Sequence, residues 1–297
     1  MSDSVPLTGT GGPVAVDLGR ERGQVLRQLL RNPLGIVGGV LLLVVVLTAV
    51  LAPLLAPYSP TDVHFAAQFQ RPLTVGYPLG TDDLGRDVLS RIIYGTRASL
   101  LVGVMSVALA VAVGTPLGLV AGYWGWLDAL VSRLTDLTLA FPFLVIAVGL
   151  AAINGASLTN AAIALGIAQI PTMIRVVRAE TLRNKGLDFV LAARSLDASG
   201  GRILAQHILP NATSAVIVQA TVIMPVAVIG EALLSFLGLG IQPPDPSLGI
   251  MLSDAQQYIF RAPYAAVFPG LAIALICLAF NLFGDALRDA LDPNTRR

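Results

Sequence analysis

Few residues of this 297-residue chain are equipped for chemistry. Glu231 lies in the apolar stretch 226–239. A carboxylate at membrane depth is expensive, and usually faces a bundle interior or a water-filled path. Glu231, with Ser235 and Phe236 one turn on, is therefore a candidate for a translocation path or gate. The alternative is a glutamate wetted at the outer end of its helix. Two further constellations are charged. In 81–94, Thr81 can cap a helix with Asp82 and Asp83 in its positive first turn. Asp87 and Arg91 are spaced i,i+4 in the favourable order, and Leu84, Val88 and Ile92 recur every four residues. This predicts an interfacial helix. Either it is a plain surface helix, or Asp82, Asp83, Arg86, Asp87 and Arg91 form a docking surface for an outside partner. In 181–211 the chain concentrates Arg183, Lys185, Asp188, Arg194, Asp197 and Arg202. Residues 187–196 predict a short helix with Phe189, Ala192, Ala193 and Leu196 on one face. A Ser-Gly-Gly turn at 199–201 and a second short helix, 202–209, stopped by Pro210, would complete a hairpin. Small alanines on an exposed helix admit close approach of another protein, although an ordinary connecting hairpin fits as well.

Other chemistry is missing from the sequence. Lys185 is the single lysine, and it is not in a Gly-x-x-x-x-Gly-Lys-Ser/Thr loop that would cradle nucleotide phosphates. His64 and His207 are far apart, and Cys277 is the one cysteine, so no zinc-type ligand spacing and no intrachain disulfide occur. No Gly-x-Ser-x-Gly nucleophile element is present. An enzyme reading has little support.

The elements that must position these residues are set by composition. Apolar residues make up 55% and charged residues 12%, against about 25% charged in soluble domains. Mean hydropathy is +0.76. A net charge of +1 excludes the basic face that nucleic-acid binding needs. The required solvent is a bilayer, where about 20 apolar residues make one crossing. Six such segments can be traced. The first is 34–56, and the second lies between Arg97 and Asp128. The run 137–174 is too long for one helix and is split by the polar stretch 154–160; its second half borrows residues past Arg175. The fifth is about 212–234 and the sixth 262–284. Proline recurs near or within spans two to six, at Pro116, Pro142, Pro171, Pro225 and Pro269.

With the N-terminus inside, Arg71, Arg86, Arg91, Arg97 and Arg261 are outside and the rest of the 19 cations are inside. The positive-inside bias therefore places both termini in the cytoplasm. Residues 1–19 read as a disordered lead and 20–33 as a basic amphipathic segment that sets topology or binds anionic lipid. The first span, 34–56, is followed by an outer loop, 57–97. The remaining five spans form a core over 98–290 that carries the inner loop 181–211, and 291–297 is a tail. Between spans five and six, 242–246 reads as a rigid proline loop, with a second interfacial helix near 252–258.

Three segments carry a family resemblance. They are Arg31-Asn32-Pro33-Leu34 with Leu51-Ala52-Pro53-Leu54-Leu55-Ala56-Pro57-Tyr58, the run 78–91, and 231–240 (Glu-Ala-Leu-Leu-Ser-Phe-Leu-Gly-Leu-Gly). The chain resembles, from about residue 24 to Asn294, the C-type permease subunit of dipeptide/oligopeptide/nickel ABC importers. The inner loop is similar to that family's coupling motif at Ala192, Ala193, Leu209 and Pro210. Leu191 replaces its glutamate and Asp197 its glycine, and Asp tolerates a left-handed backbone better than most residues. The resemblance implies an all-α type I ABC importer permease in a bacterial inner membrane. It implies a second homologous permease, two cytoplasmic ATP-binding subunits and an extracytoplasmic substrate-binding protein as partners. No cofactor is then bound by this chain, because ATP and magnesium belong to the ATPase subunits. Leu187, Asp188, Phe189, Leu191, Ala192, Ala193, Arg194, Leu196 and Asp197 would be the ATPase-coupling helix, with Leu209 and Pro210 ending the loop. Peptides are the implied cargo; nickel complexes, glutathione or another small solute use the same permease type. An ATP-independent channel or secondary transporter is the competing class, and it has no need of the charged inner hairpin.

Overall fold

Long apolar helices dominate the computed structural model, which describes residues 27–29 and 31–291. The lead 1–19, most of the basic segment 20–33 and the tail 292–297 lie outside the described residues. No strand occurs among those described, only isolated bridges at Thr74–Tyr77 and Thr81–Asp87. In hydrocarbon every backbone amide must be satisfied within its own segment, and helices do this.

The first helix, α1 (Pro33–Val50), is capped by Asn32, whose side chain accepts from the Leu34 amide at 3.0 Å. Pro33 follows at the position where a missing N–H costs nothing. Short helical turns at Ala52–Leu55 and Phe65–Ala67 precede a 36-residue helix, α2 (Val88–Tyr123), which is followed by α3 (Gly125–Ala140) and α4 (Phe143–Asn154). After these come α5 (Leu158–Lys185) and the short α6 (Asp188–Ser195). The remaining helices are the 37-residue α7 (Gly200–Phe236), α8 (Leu248–Gln256) and α9 (Tyr264–Leu291). Five of these helices are long and apolar enough to span alone. The third crossing is the pair α3–α4, bent by 79° around Phe141 and Pro142.

Contacts at the helix ends show that this bent pair does return the chain. At one end Lys185 Nζ donates to Tyr123 O at 2.6 Å, so α2 and α5 finish together. At the other end Tyr94, Ser157 and Ile241 line one cavity, so α2 and α5 also begin together. α3–α4 must therefore run from the Tyr123 end back to the Ser157 end, which makes six crossings. Tyr264 Oη donates to Thr81 O at 3.1 Å, which puts the start of α9 at the Ser157 end. Gly35 and Gly38 of α1 lie against Ala286 and Phe283 of α9. Residues 33 and 291 thus share the end that carries the 187–199 hairpin.

The packing seam is made of glycine. Gly114, Gly118 and Gly122 recur every four residues on α2 and face Met173, Val177 and Thr181 of the parallel α5. Small residues at this spacing let helix backbones approach in a membrane, where apolar burial gives no drive for association. A Cβ on Gly118 would stand 2.7 Å from Val177 Cβ and 2.9 Å from Ile174 O. Leucine, isoleucine and valine elsewhere, such as Val37, Val40 and Val44 of α1, are left facing outward toward lipid.

Several sequence expectations change here. The helix of the second span begins nine residues before the Arg97 boundary, at Val88. The second inner helix is not stopped by Pro210. A π-helical turn, Leu204–Ile208, widens the coil before the proline, and α7 runs on. The wider turn removes the clash of the ring with the carbonyl four residues back. The helix expected near 252–258 starts four residues earlier, at Leu248. α8 buries Leu248, Ile250, Met251 and Ala255 inside the bundle.

Gly118→Leu is expected to cost at least about 2 kcal/mol by overpacking and to lower the melting temperature in detergent by several degrees. Gly149→Ala, where an added Cβ meets nothing within 4 Å, serves as the control and is expected to melt like the parent. Equal melting of the leucine variant and the parent would remove the seam from this account.

Candidate functional site

The candidate residues gather at two opposite ends of the bundle and in one buried knot between helices. At the end where α2 and α5 finish, α6 follows Lys185 after a turn at Gly186 and Leu187. Val190 and Ala193 are buried and join Leu119, Val177, Ile203 and Ile208 in one cluster. Lys185 and Arg194 stand over the Tyr123 ring at 5.5 and 5.1 Å. Gly200 packs so tightly on Tyr123 and Trp124 that a Cβ would lie 3.0 Å from each ring. The hairpin is thus held on the α2–α3 junction. Ala193 does not share the exposed face expected for it; its methyl points into the chain's own core. What faces outward is Leu187, Phe189, Leu191, Ala192 and Leu196, the last 84% exposed. Asp188, Arg194 and Asp197 are exposed around them, Leu209 is half-buried and Pro210 exposed.

Asp197 has φ = +57°, the left-handed conformation that usually calls for glycine. Ala198 N then donates back to Ala193 O at 3.1 Å, closing α6. The aspartate does the turn work expected of a glycine at this position.

At the opposite end, the segment before α2 is not a helix. Asp82 Oδ1 accepts from the amides of Leu84 and Arg86 at 3.0 and 2.9 Å, an Asx turn. Gly85 follows with φ = +76°, and its Cα lies so close to His64 O that no side chain fits. The helix can start only at Val88, with Asp87 as N-cap accepting from Ser90 N at 2.8 Å. The Asp87–Arg91 pair expected from their spacing does not form. Arg91 pairs with Asp82 and lies 3.6 Å from Asp254; Arg86 pairs with Asp82 at 2.7 Å and reaches Asp83 and Asp254 at 3.7 and 3.5 Å. Asp82, Arg86, Asp87 and Arg91 are all buried. They tie the outer loop to α2 and α8 and offer no surface to a partner, which corrects the docking expectation for these four. Asp83 is the more exposed member of the set. Its partial burial, and next the Asp82 carboxylate, raise its pKa above the usual carboxylate range. A carboxyl shifted this way binds its proton better folded than unfolded, so its contribution to stability falls as pH rises through that range.

Glu231 is fully buried. Its Oε2 accepts from Ser99 Oγ of α2 at 2.5 Å, and its Oε1 accepts from Ser235 and Ser247 Oγ, both at 2.8 Å. Ser235 Oγ accepts in turn from the Ile241 amide at 3.2 Å, and Ser247 Oγ from the Gly249 amide at 3.1 Å. Glu231 therefore faces three protein hydroxyls, neither wetted at an interface nor open to a path, and joins α2, α7 and the start of α8. Phe236 is half-buried beside it and takes no part in the network. Sequence reasoning missed Ser99, Ser247 and Asp254, which come from distant segments and have no spacing relation to Glu231 or Arg91. Among the described residues no cluster of His, Cys, Asp or Glu suited to a metal ion occurs.

Comparison with known proteins fits this geometry. Residues 114–297 match the family model described as "binding-protein-dependent transport system inner membrane component". Residues 22–72 match "N-terminal TM domain of oligopeptide transport permease C". The chain is 44% identical, over 92% of its length and 90% of the relative's, to the dipeptide transport system permease protein DppC of Alkalihalophilus pseudofirmus. It is 47% identical to the glutathione transport system permease protein GsiD of Pectobacterium atrosepticum, over 73% of each chain. Among solved structures, a chain of the inward-facing MetNI methionine ABC transporter superposes with a TM-score of 0.57 at 18% identity. That match covers 68% of this chain and 97% of the other.

Two outcomes are expected from these sites. Asp197→Gly is expected to leave thermal unfolding unchanged, while Asp197→Val costs about 1–2 kcal/mol because a β-branched residue resists positive φ. Amide hydrogen exchange across 188–203 reads the difference; equal protection in both variants would contradict it. Glu231→Ala deprives three buried hydroxyls of their acceptor and is expected to cost about 2 kcal/mol, with Glu231→Gln milder because it keeps a carbonyl acceptor. A Glu231→Ala melting curve that overlays the parent would show that the knot contributes nothing.

Proposed function

The chain belongs to the binding-protein-dependent transport permeases, as an ABC-importer membrane subunit of the dipeptide/glutathione type with the type I importer fold, and from that premise we propose that it passes small peptides inward by alternating access. The end carrying residues 33, 291 and the hairpin is cytoplasmic. This reading is supported by the cations among the described residues: most fall at that end, including Arg178, Arg183, Lys185, Arg194, Arg202 and Arg288. A second, homologous permease completes the path. Two cytoplasmic ATP-binding subunits drive it and hold ATP and magnesium, and an extracytoplasmic binding protein delivers cargo. This chain binds no cofactor of its own in that scheme. Peptides are favoured as cargo because the relatives named above are dipeptide and glutathione permeases, and glutathione is itself a small peptide.

The observation that carries the coupling role is the hairpin's two-sidedness. Val190 and Ala193 anchor α6 to the inner ends of α2 and α5, while Leu187, Leu191 and Leu196 are left in water. Exposed leucines on a rigid, anchored helix are costly unless something covers them. A groove on an ATP-binding subunit is the occupant the family supplies. Leu191, where the family pattern has glutamate, makes this contact more apolar. ATP-driven closure of the two ATPase subunits then moves α6. Its anchors carry the motion to α2 and α5 as rigid bodies, and the crossing helices rock between inward-open and outward-open arrangements.

Leu191→Asp combined with Leu196→Asp is expected to leave the permease folded, since both side chains are exposed. It is expected to abolish co-purification of the ATP-binding subunits and to cut peptide uptake at least tenfold in membrane vesicles. Normal uptake with normal co-purification would overturn the docking role of α6.

A further inference from the structure

Next to the Glu231 knot, at the outer end of the bundle, is a cavity of about 500 Å³. This is in the range of small-molecule sites. Its lining comes from α2, with Tyr94 and Arg97, from the start of α5 at Ser157, and from the loop 241–246, with Asp245. Neither Arg97 nor Asp245 has an ion-pair or side-chain hydrogen-bond partner among the described residues. An unpaired guanidinium at the margin of an apolar span is costly, and such groups normally face water, a counter-ion or a ligand. The rest of the lining is mostly apolar, with Leu101, Ile241 and the prolines.

The walls are fixed in advance. Glu231 accepts from Ser99, half a turn beyond Arg97 on α2, and from Ser235 and Ser247, which stand at the two ends of the loop bearing Asp245. The Gln242 side chain donates back to Gly238 O and Gly240 O at 3.0 and 3.2 Å, folding the loop on itself. Pro243, Pro244 and Pro246 stiffen it further. A preformed site with one cation, one anion and apolar surface between them suits a zwitterion with side chains.

We propose that this cavity is an extracytoplasmic subsite for a small peptide, in which Arg97 receives the terminal carboxylate and Asp245 the terminal ammonium. An extended dipeptide spans about 7 Å between its ends, the same order as the width of a 500 Å³ space. A guanidinium fork matches a carboxylate bidentately. The subsite would take cargo from the binding protein as the path opens outward. This proposal rests on the reading of the chain as a peptide permease.

The test uses the assembled permease–ATPase complex in nanodiscs without the binding protein, and radiolabelled dialanine as probe. Arg97→Gln and Asp245→Asn are each expected to weaken binding tenfold or more, with Arg97→Lys retaining part of it. Both side chains are exposed and unpaired, and a monodisperse elution profile checks that the variants fold. C-terminal amidation of dialanine should weaken binding to the parent yet make no difference to Arg97→Gln. N-terminal acetylation should behave the same way toward Asp245→Asn. Unchanged affinity in both variants would overturn the subsite, as would loss of binding-protein capture with dialanine affinity intact, which would mark a protein-docking face. If the parent complex binds no dialanine while the complete importer with binding protein and ATP takes it up, the subsite fails and the peptide reading survives. If the complete importer takes up no dipeptide, the peptide reading fails and the subsite with it.

Discussion

Gly114, Gly118 and Gly122 sit on successive turns of α2, and α5 lies along them in parallel through Met173, Val177 and Thr181. Every other arrangement in the molecule depends on this contact. The two helices share both ends, so they act as one rod through the bundle. One end carries Arg97, Ser99 and Ser157; the other carries Tyr123 and Lys185. Parallel neighbours need a return crossing between them. The bend of 79° at Phe141 and Pro142 lets α3–α4 supply it while α2 and α5 stay in contact. Larger residues on the seam would push the rod apart and separate the inner hairpin from its Tyr123 anchor.

Polar groups inside this apolar matrix gather in two knots, with Asp87 Oδ1 and Arg91 Nε left without a hydrogen-bond partner in the second. Glu231 uses both carboxylate oxygens on three hydroxyls, and two of those hydroxyls accept backbone amides in turn. Asp82 satisfies two amides while meeting Arg86 and Arg91. A buried charge is costly unless its partners are in place, and removing one partner leaves the remainder exposed to that cost. Both knots join segments far apart in the chain. Thr81 Oγ1, accepting from Gln70 N at 2.9 Å, and Tyr264 Oη, donating to Thr81 O, extend the outer knot to α9. The outer half of the bundle is therefore cross-braced by polar contacts, and the inner half by the apolar cluster of Leu119, Val177, Val190 and Ile208.

The crossings were legible in the sequence because hydrocarbon imposes a length and an apolar composition that no packing detail can override. The inner hairpin was legible because a chain with few charges gathers them there, and Asp197 because a left-handed turn restricts residue type. The glycine seam had a visible signal, Gly-x-x-x-Gly-x-x-x-Gly over 114–122, which gives a packing face when read at helical period. The outer knot had none. Asp87 and Arg91 have ideal helical spacing, yet Gly85 and the Asx turn at Asp82 end that helix before it begins, and Arg91 finds Asp82 and Asp254 instead. Pro210 carried a stop signal that a π turn overrides. In each case the deciding partner lies across the fold, or in a backbone adjustment that local propensity does not encode.

The position of Ala193 ties these levels together. On α6 it is one turn from Phe189 and adjacent to Ala192, and a helical-wheel reading places all three on one face. The structure turns Ala193 inward with Val190, three residues earlier, because these two contact the core formed by Leu119 and Val177. The exposed face is thereby rotated to Leu187, Leu191 and Leu196, and a small residue is required where α6 meets α2 and α5. The hairpin is consequently anchored over a short, hard contact. Val190 and Ala193 thus join the hairpin directly to the α2–α5 rod. That rod ends beside the Glu231 knot and the cavity at the far end. The leucine face at one end of the bundle and the cavity walls at the other are therefore joined by one continuous run of packed contacts.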